Sequence, residues 1–154
     1  MSTLRLRARL LAGLLLVVTV ASCGDVVGPT NDRAALDRNR DLWEASGHAA
    51  YSFTLSRACF CIVEVTQPSR VVVRNDSVVS VTAVSDGRPL NTQYFPTVNA
   101  LFEFIDEAIA NNAHTIRVVY DPVLGYPVEI DYDGSLMIAD DEISYRASAV
   151  TRTP

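Results

Sequence analysis

The stretch Tyr51-Ser52-Phe53-Thr54-Leu55-Ser56-Arg57-Ala58-Cys59-Phe60-Cys61 decides how the N-terminal half of this chain folds. Large apolar side chains at its first, third and fifth positions alternate with hydroxyl side chains. This period of two indicates a strand with one buried and one solvated face, because successive side chains of a strand point to opposite sides. The odd register continues through Arg57, Cys59, Cys61, Val63 and Val65. If the strand runs unbroken, we expect both cysteines to face the apolar layer with Arg57 beside them.

More strands are predicted on both sides of a central helix. Turn residues at 67–69 and the tight turn Asn75-Asp76 delimit strands at 70–74 and 77–84. In the C-terminal half, alternating patterns predict strands at 115–120, 126–132 and 143–147, with turn signals at 121–125 and at Asp133-Gly134.

Two helices complete the pattern. The first is predicted over Asp32 to Ala45, capped by Asn31 or Asp32, with one apolar face formed by Ala35, Leu36, Leu42 and Trp43. The second follows the N-cap Thr97 and ends at Asn111-Asn112; its apolar face comprises Val98, Leu101, Phe102, Ile105, Ala108 and Ile109. The order α-β-β-β-α-β-β-β predicts a single α+β domain, a mainly antiparallel sheet with helices packed on one face.

The N-terminus predicts a lipoprotein signal peptide over residues 1–22. Three arginines precede the apolar run 10–20, which is too short to be a stable membrane span. Val20-Ala21-Ser22-Cys23 resembles the bacterial lipobox, in which the cysteine is acylated and the chain is cut in front of it. We therefore expect a lipidated tether at 23–31, the domain at 32–150 and a tail at 151–154. An ordinary secretory signal that happens to end near a cysteine is the alternative.

The lipobox resemblance also implies a location. A multiply acylated Cys23, carrying palmitate-type chains, would hold the protein stably on a membrane. Gly24 follows the cysteine, whereas in lipoproteins of this kind Asp at that position is the usual signal for retention in the inner membrane. The expected location is therefore the cell envelope, on the outer membrane facing the periplasm.

Composition excludes several functions. Removing the three signal arginines takes the formal net charge from −5 to −8, so the domain has no electrostatic reason to bind nucleic acid. All 13 basic residues are arginine, which excludes Schiff-base catalysis and a phosphate-loop lysine because both need an amine. Neither GxGxxG nor GxSxG occurs, and we expect no cofactor.

The cysteine pair is the first candidate site. If Cys23 is acylated, only Cys59 and Cys61 remain to pair with each other in an oxidising compartment. Residues two apart in a strand are separated by about 6.6 Å, whereas a disulfide needs Cβ atoms about 4 Å apart, so the bond requires a bend. Three interpretations stay open: a structural disulfide; a redox or soft-metal site, for Cu(I) for example, with Arg57 modulating the thiols; and buried free thiols or an intermolecular bond.

Acidic residues near the C-terminus are the second candidate. Asp131, Asp133 and Glu142 match three positions of an EF-hand loop, but Leu136 occupies the place of the required glycine, which excludes that motif. A looser calcium site formed by Asp140, Asp141 and Glu142 is a weak alternative to solvated acids. The spacing of His48, His114 and Met137 does not bring them to the cysteine pair.

Several of these motifs, taken in order, resemble one family. They are Trp43, the strand 51–55, Arg57-x-Cys59-Phe60-Cys61, Leu101-Phe102, Tyr120-Asp121-Pro122, Gly125-Tyr126-Pro127 and Asp140-Asp141-Glu142. Together they resemble an uncharacterised bacterial lipoprotein family, domain of unknown function family 6174. One departure is Ile62, where the family often has proline. The resemblance implies the fold and the location and leaves the activity open.

The sequence thus favours a lipid-anchored envelope protein that acts as a non-enzymatic binding or structural module, with an envelope protein or a small ligand as partner. The alternative is a thiol-redox or soft-metal-handling protein that uses Cys59 and Cys61. A hydrolase that uses paired carboxylates is a third, weakly motivated hypothesis.

Overall fold

In the computed structural model, the described residues are 33–138 and 140–152. The predicted signal peptide, the tether with Cys23 and the last two residues of the predicted tail lie outside these ranges. None of the helices within the described ranges has the length and apolar character needed to span a membrane.

The described chain contains three helices, six strands and one 3₁₀ turn, at Thr92–Tyr94. The helices are α1 (Arg33–Ala45), α2 (Val63–Thr66) and α3 (Val98–Ala110). The strands are β1 (Ala50–Ala58), β2 (Ser69–Arg74), β3 (Ser77–Ala83), β4 (Thr115–Tyr120), β5 (Pro127–Asp133) and β6 (Ile143–Arg152). They form one antiparallel sheet in the order β3-β2-β1-β6-β5-β4.

Helices α1 and α3 cover one face of this sheet, and their buried residues join the inward side chains of the strands in one core. The predicted α+β class and the order of its main elements are therefore confirmed. The short helix α2 and the 3₁₀ turn are additions that the sequence pattern did not predict.

Strand β1 lies at the centre of the sheet and follows the predicted alternation. Tyr51, Phe53 and Leu55 are buried under the helices. Ser52 is also buried although it points to the open face, because Arg70 donates to its Oγ at 2.9 Å and Thr151 Oγ1 lies 3.1 Å away.

The two ends of the sheet differ, and we name them by β1. At the hairpin end, β1 begins next to the Asn75-Asp76 turn, whose positive φ values of 48° and 56° confirm the predicted tight turn. At the cysteine end, β1 finishes at Ala58, which pairs with Ser144 near the start of β6.

The prediction that β1 continues in odd register to Val65 is wrong. The strand ends at Ala58, and the chain forms α2 instead. In this helical turn, residues two apart point in different directions. Val65 is therefore buried, whereas Val63 is 81% exposed.

Helix α3 is confirmed in detail: Thr97 Oγ1 accepts from the Ala100 N–H at 3.1 Å as an N-cap, and the predicted face is buried from Val98 to Ala108. In α1, Leu36 and Trp43 are buried as predicted, but Leu42 is 43% exposed. Leu42 lies at the edge of the apolar face of α1. The backbone of Gly125 passes close to it: a Cβ added to Gly125 would lie 2.8 Å from the Cβ of Leu42. Strand β6 continues through Arg152, two residues past the predicted domain boundary.

Candidate functional site

The cysteines lie in a turn that directly follows β1. The Cys61 N–H donates to the Cys59 carbonyl at 3.0 Å, and the two Cα atoms are 5.3 Å apart, closer than in an extended strand. Their sulfur atoms lie at disulfide-bonding distance. The bend that the pairing requires is therefore present.

The surroundings of the two cysteines are unequal. Cys59 is partly buried and packs against the core, whereas Cys61 is exposed. The condition under which both would face the apolar layer, an unbroken strand, is not met, because the strand ends at Ala58. Only the first cysteine keeps the inward direction of β1.

Arg57 is the last charged residue of β1 and lies on the helix-covered side. Its guanidinium carbon is 4.8 Å from the ring centre of Tyr145, its strand partner, and its Nη2 donates to the Tyr94 carbonyl at 3.2 Å. Its Nε is buried without a hydrogen-bond partner among the described residues. Burial raises the pKa of Tyr145, and the charge of Arg57 opposes that shift. Modulation of the cysteine thiols by Arg57 stays a prediction.

A groove of about 640 Å³ opens beside these residues. One wall comes from Cys61, Ile62 and Val65, at and after the cysteine turn; the other comes from Gln93, Tyr94, Phe95 and Pro96; and Arg57 lies between them. A hydrogen bond joins the walls, since the Asn91 N–H donates to Glu64 Oε1 at 3.0 Å. The Asn91 side chain also caps the 3₁₀ turn by accepting from the Gln93 N–H at 3.2 Å. The first contact thus ties α2 to the 3₁₀ turn, and the second closes the start of that turn.

The acidic trio lies in the connection between β5 and β6. Asp140 and Glu142 are exposed, whereas the Asp141 carboxylate lies against Gly134, with Oδ1 buried and unpaired among the described residues. Over residues 33–138 and 140–152, no group of three or more His, Cys, Asp or Glu side chains could hold a metal ion. Calcium binding by the trio stays a prediction.

The comparison with protein families settles the classification. A family model described as a family of unknown function, DUF6174, matches residues 35–152. The chain belongs to the DUF6174 family. No curated protein and no solved structure matches it.

The two histidines of the DUF6174 domain have separate surroundings. His48 stacks on Trp43 with ring centres 4.0 Å apart, at the hairpin end, far along β1 from the cysteines. Burial lowers its pKa, and the nearby charge of Arg152 lowers it further. His114 is exposed, and its N–H donates to the Gly134 carbonyl at 3.2 Å.

On the open face of the DUF6174 domain, charged side chains form a ladder across β4, β5 and β6. Arg117 pairs with Glu129 at 2.6 Å and also with Asp131, and Arg146 pairs with Asp131 at 2.9 Å. Partial burial opposes ionisation of Asp131, but hydrogen bonds from Ser144, Arg117 and Arg146 lower its pKa to about 2. Glu129 and Asp131 point to the open face, and their charges are largely neutralised by Arg117 and Arg146.

The sequence did not predict the second wall of the groove, which residues 93–96 form. The segment 92–96 has no helical or strand period, so its sequence predicts only an irregular connection. The one available signal was Asn91 two residues before Gln93, because asparagine side chains often accept from a nearby N–H at the start of a turn.

Proposed function

We propose that this protein is a lipid-anchored, non-enzymatic module of the bacterial cell envelope that binds a small apolar ligand bearing an acidic group. The observation that carries the proposal is the groove between the cysteine turn and segment 93–96, with Arg57 as the charged member of its eight described lining residues.

Arg57 supplies the polar part of the argument. Arg57 lines the groove. A guanidinium has five N–H donors, and one of them, on Nη2, is used by the Tyr94 carbonyl. A ligand carboxylate or phosphate would accept from Arg57 in the charge-assisted geometry that guanidinium groups favour.

The walls supply the apolar part. Ile62, Val65 and Phe95 present hydrocarbon to the groove, and its volume falls within the range of about 300 to 1,000 Å³ that is usual for small-molecule sites. Gln93 and Tyr94 add neutral polar groups at its margin. This mixture favours reversible binding of an amphiphile, such as a fatty acid.

The proposed anchor rests on the N-terminal sequence. Intact-mass spectrometry of the membrane-extracted protein should show a chain that starts at Cys23 and carries acyl groups. Cys23→Ser should leave the protein unacylated and release it from the membrane fraction. A chain processed elsewhere, with no acyl mass, would refute the anchor.

Ligand binding is tested with a fluorescent fatty acid and its neutral amide. The mature protein should bind the acid more tightly, and Arg57→Gln should weaken that binding by about 10-fold to 150-fold, the equivalent of a charged hydrogen bond of about 1.5–3 kcal/mol. Arg74→Gln makes the same charge change at the hairpin end and should have little effect. Equal affinity for acid and amide, or no effect of Arg57→Gln, contradicts the proposal.

A thiol-redox function is the second candidate, favoured by the exposure of Cys61 in a pair at disulfide distance. A dithiol donor would break the Cys59–Cys61 bond by giving it two electrons and two protons, and would itself become a disulfide. If Cys59→Ser/Cys61→Ser leaves disulfide reductase activity and copper content of the purified protein unchanged, this function is excluded.

A further inference from the structure

We propose that the cysteine end of the sheet docks on the surface of a lipid bilayer with electrically neutral headgroups. This inference rests on the lipid anchor proposed above and adds an orientation to it. The domain would lie with its groove toward the membrane instead of hanging freely from its tether.

Two segments place exposed apolar side chains at this end. The turn after β1 contributes Phe60, Ile62 and Val63, and the connection from β5 to β6 contributes Leu136, Met137 and Ile138. We call these six residues the apolar rim. Clustered exposed apolar side chains of this kind mark interaction surfaces in soluble domains.

Sheet topology puts the two segments side by side. Ala58 at the end of β1 pairs with Ser144 of β6, and Tyr132 near the end of β5 pairs with Ile143 of the same strand. Strand β6 thus lies between β1 and β5, and two strand spacings amount to about 10 Å. Both segments therefore leave the sheet at one end, within reach of one flat surface.

The position of the tether indicates that a membrane covers the apolar rim. The described chain begins at Arg33, which pairs with Asp106 in the second half of α3. That half of α3 leads to the cysteine end, where the His114 N–H donates to the Gly134 carbonyl. Nine residues lie between Cys23 and Arg33, and the ten residue steps from one to the other span at most about 35 Å. An acylated Cys23 therefore keeps the bilayer close, on the side from which the apolar rim projects.

The other end of the sheet offers much less to a bilayer. Among the described residues there, Val123 is the strongly exposed apolar one, at 77%, and the turn between β2 and β3 is made of Asn75 and Asp76. Because the exposed apolar side chains lie mainly at the cysteine end, the domain should dock with that end toward the bilayer.

The charged side chains beside the apolar rim determine which lipid headgroups the rim can approach. Glu64 follows Val63 directly, and exposed Asp140 and Glu142 flank the second segment of the rim. These carboxylates repel an anionic surface, since anionic headgroups attract basic segments and disfavour acidic ones. We therefore expect docking on phosphatidylethanolamine and phosphatidylcholine, and weaker docking when phosphatidylglycerol replaces part of them.

Met137 provides a built-in probe, because it is 90% exposed and is the one methionine after residue 22. The acylated protein is reconstituted in neutral vesicles and treated with hydrogen peroxide, and sulfoxide at Met137 is followed by mass spectrometry. We expect oxidation at least about fivefold slower than for Cys23→Ser free in buffer, because docking withdraws the side chain from water. Phosphatidylglycerol should reduce this protection.

Two valines give a matched pair of variants. Val63→Asp places a charge on the rim and should abolish most of the protection of Met137. Val123→Asp makes the same change at the opposite end, at similar exposure, and should leave it intact. Equal effects of the two variants would refute the orientation.

Other outcomes are also decisive. Rapid oxidation of Met137 in acylated, vesicle-bound protein overturns docking while the anchor stands. Protection of Met137 in Cys23→Ser, with a dimeric mass by light scattering, would make the rim a contact between copies and overturn docking. If Cys23 carries no lipid, the anchor fails, and failure of the full chain to co-sediment with neutral vesicles overturns docking as well.

Discussion

The two ends of β1 differ in the hydrogen bonding of one polar side chain, Tyr51 at the hairpin end and Arg57 at the cysteine end. At the hairpin end, Tyr51 is buried and its hydroxyl accepts from the Val98 N–H at 2.9 Å, while Trp43 packs edge-on against its ring at 5.1 Å. Burial raises the pKa of Tyr51 to about 12, although the hydrogen bond from Val98 acts in the other direction. At the cysteine end, Arg57 lies beside an open groove, and its buried Nε has no hydrogen-bond partner in the described part of the chain.

Side chains at the hairpin end of β1 therefore contribute mainly to stability, and those at the cysteine end are available for binding. The hairpin end joins both helices to the sheet through Tyr51, which accepts from Val98 of α3 and packs against Trp43 of α1. The cysteine end leaves a charged donor and apolar side chains for something else to cover. We expect substitutions at the first end to change the free energy of unfolding and those at the second to change binding.

The largest effect is expected from a matched pair of phenylalanines. Phe53→Ala empties a site that is 1% exposed and should lower the free energy of unfolding by about 3–5 kcal/mol. Phe60, on the same chain segment, is 84% exposed. Phe60→Ala should therefore change the free energy of unfolding by no more than about 0.5 kcal/mol. Urea unfolding measures both; similar losses would erase the distinction between the ends.

A second pair concerns tyrosine hydroxyls. Tyr51→Phe leaves the buried Val98 N–H without its acceptor and should cost about 1–3 kcal/mol of unfolding free energy. Tyr94 is partly exposed at the groove, so Tyr94→Phe should leave stability nearly unchanged. Thermal unfolding of the two variants gives the comparison, and a stable Tyr51→Phe protein would show that the hydrogen bond contributes little.

These pairs also show what the sequence could predict. The period-two pattern at 51–55 and the helical period at 98–109 predicted β1 and α3 because burial there follows local spacing. The end of β1, the helix α2 and the wall at 93–96 depend on a turn and on side-chain hydrogen bonds, such as Asn91 to Glu64. Spacing carries no information about such contacts, so the cysteines were predicted as a site but the groove was not.

The cysteine bond should contribute modestly to stability. It closes a loop of three residues, for which the chain-entropy estimate is only about 1.6 kcal/mol. Cys59→Ser/Cys61→Ser should therefore remain folded, with an unfolding free energy lower by about that amount. The near-ultraviolet circular dichroism of Trp43, at the hairpin end, should not change. A loss of that signal would mean that the two ends are coupled.

The smallest effect is expected from the charged ladder. Because the pKa of Asp131 is lowered to about 2 in the folded protein and is about 3.9 in an unfolded chain, its contribution is complete above pH 4 and is lost as the pH falls toward 2. We expect no more than about 1 kcal/mol, since exposed ion pairs are screened by solvent. In Asp131→Asn, the fall in unfolding free energy between pH 4 and pH 2 should become shallower. An unchanged slope contradicts this assignment.

The pairing of β1 with β6 has a consequence for how the protein is made. Tyr51 pairs with Arg152, so the centre of the sheet joins the first described strand to the last. The chain cannot complete this sheet while β6 is still inside the ribosome. Contacts between such distant segments also make folding slow. The topology therefore delays completion of the sheet until the last described strand is available to pair with β1.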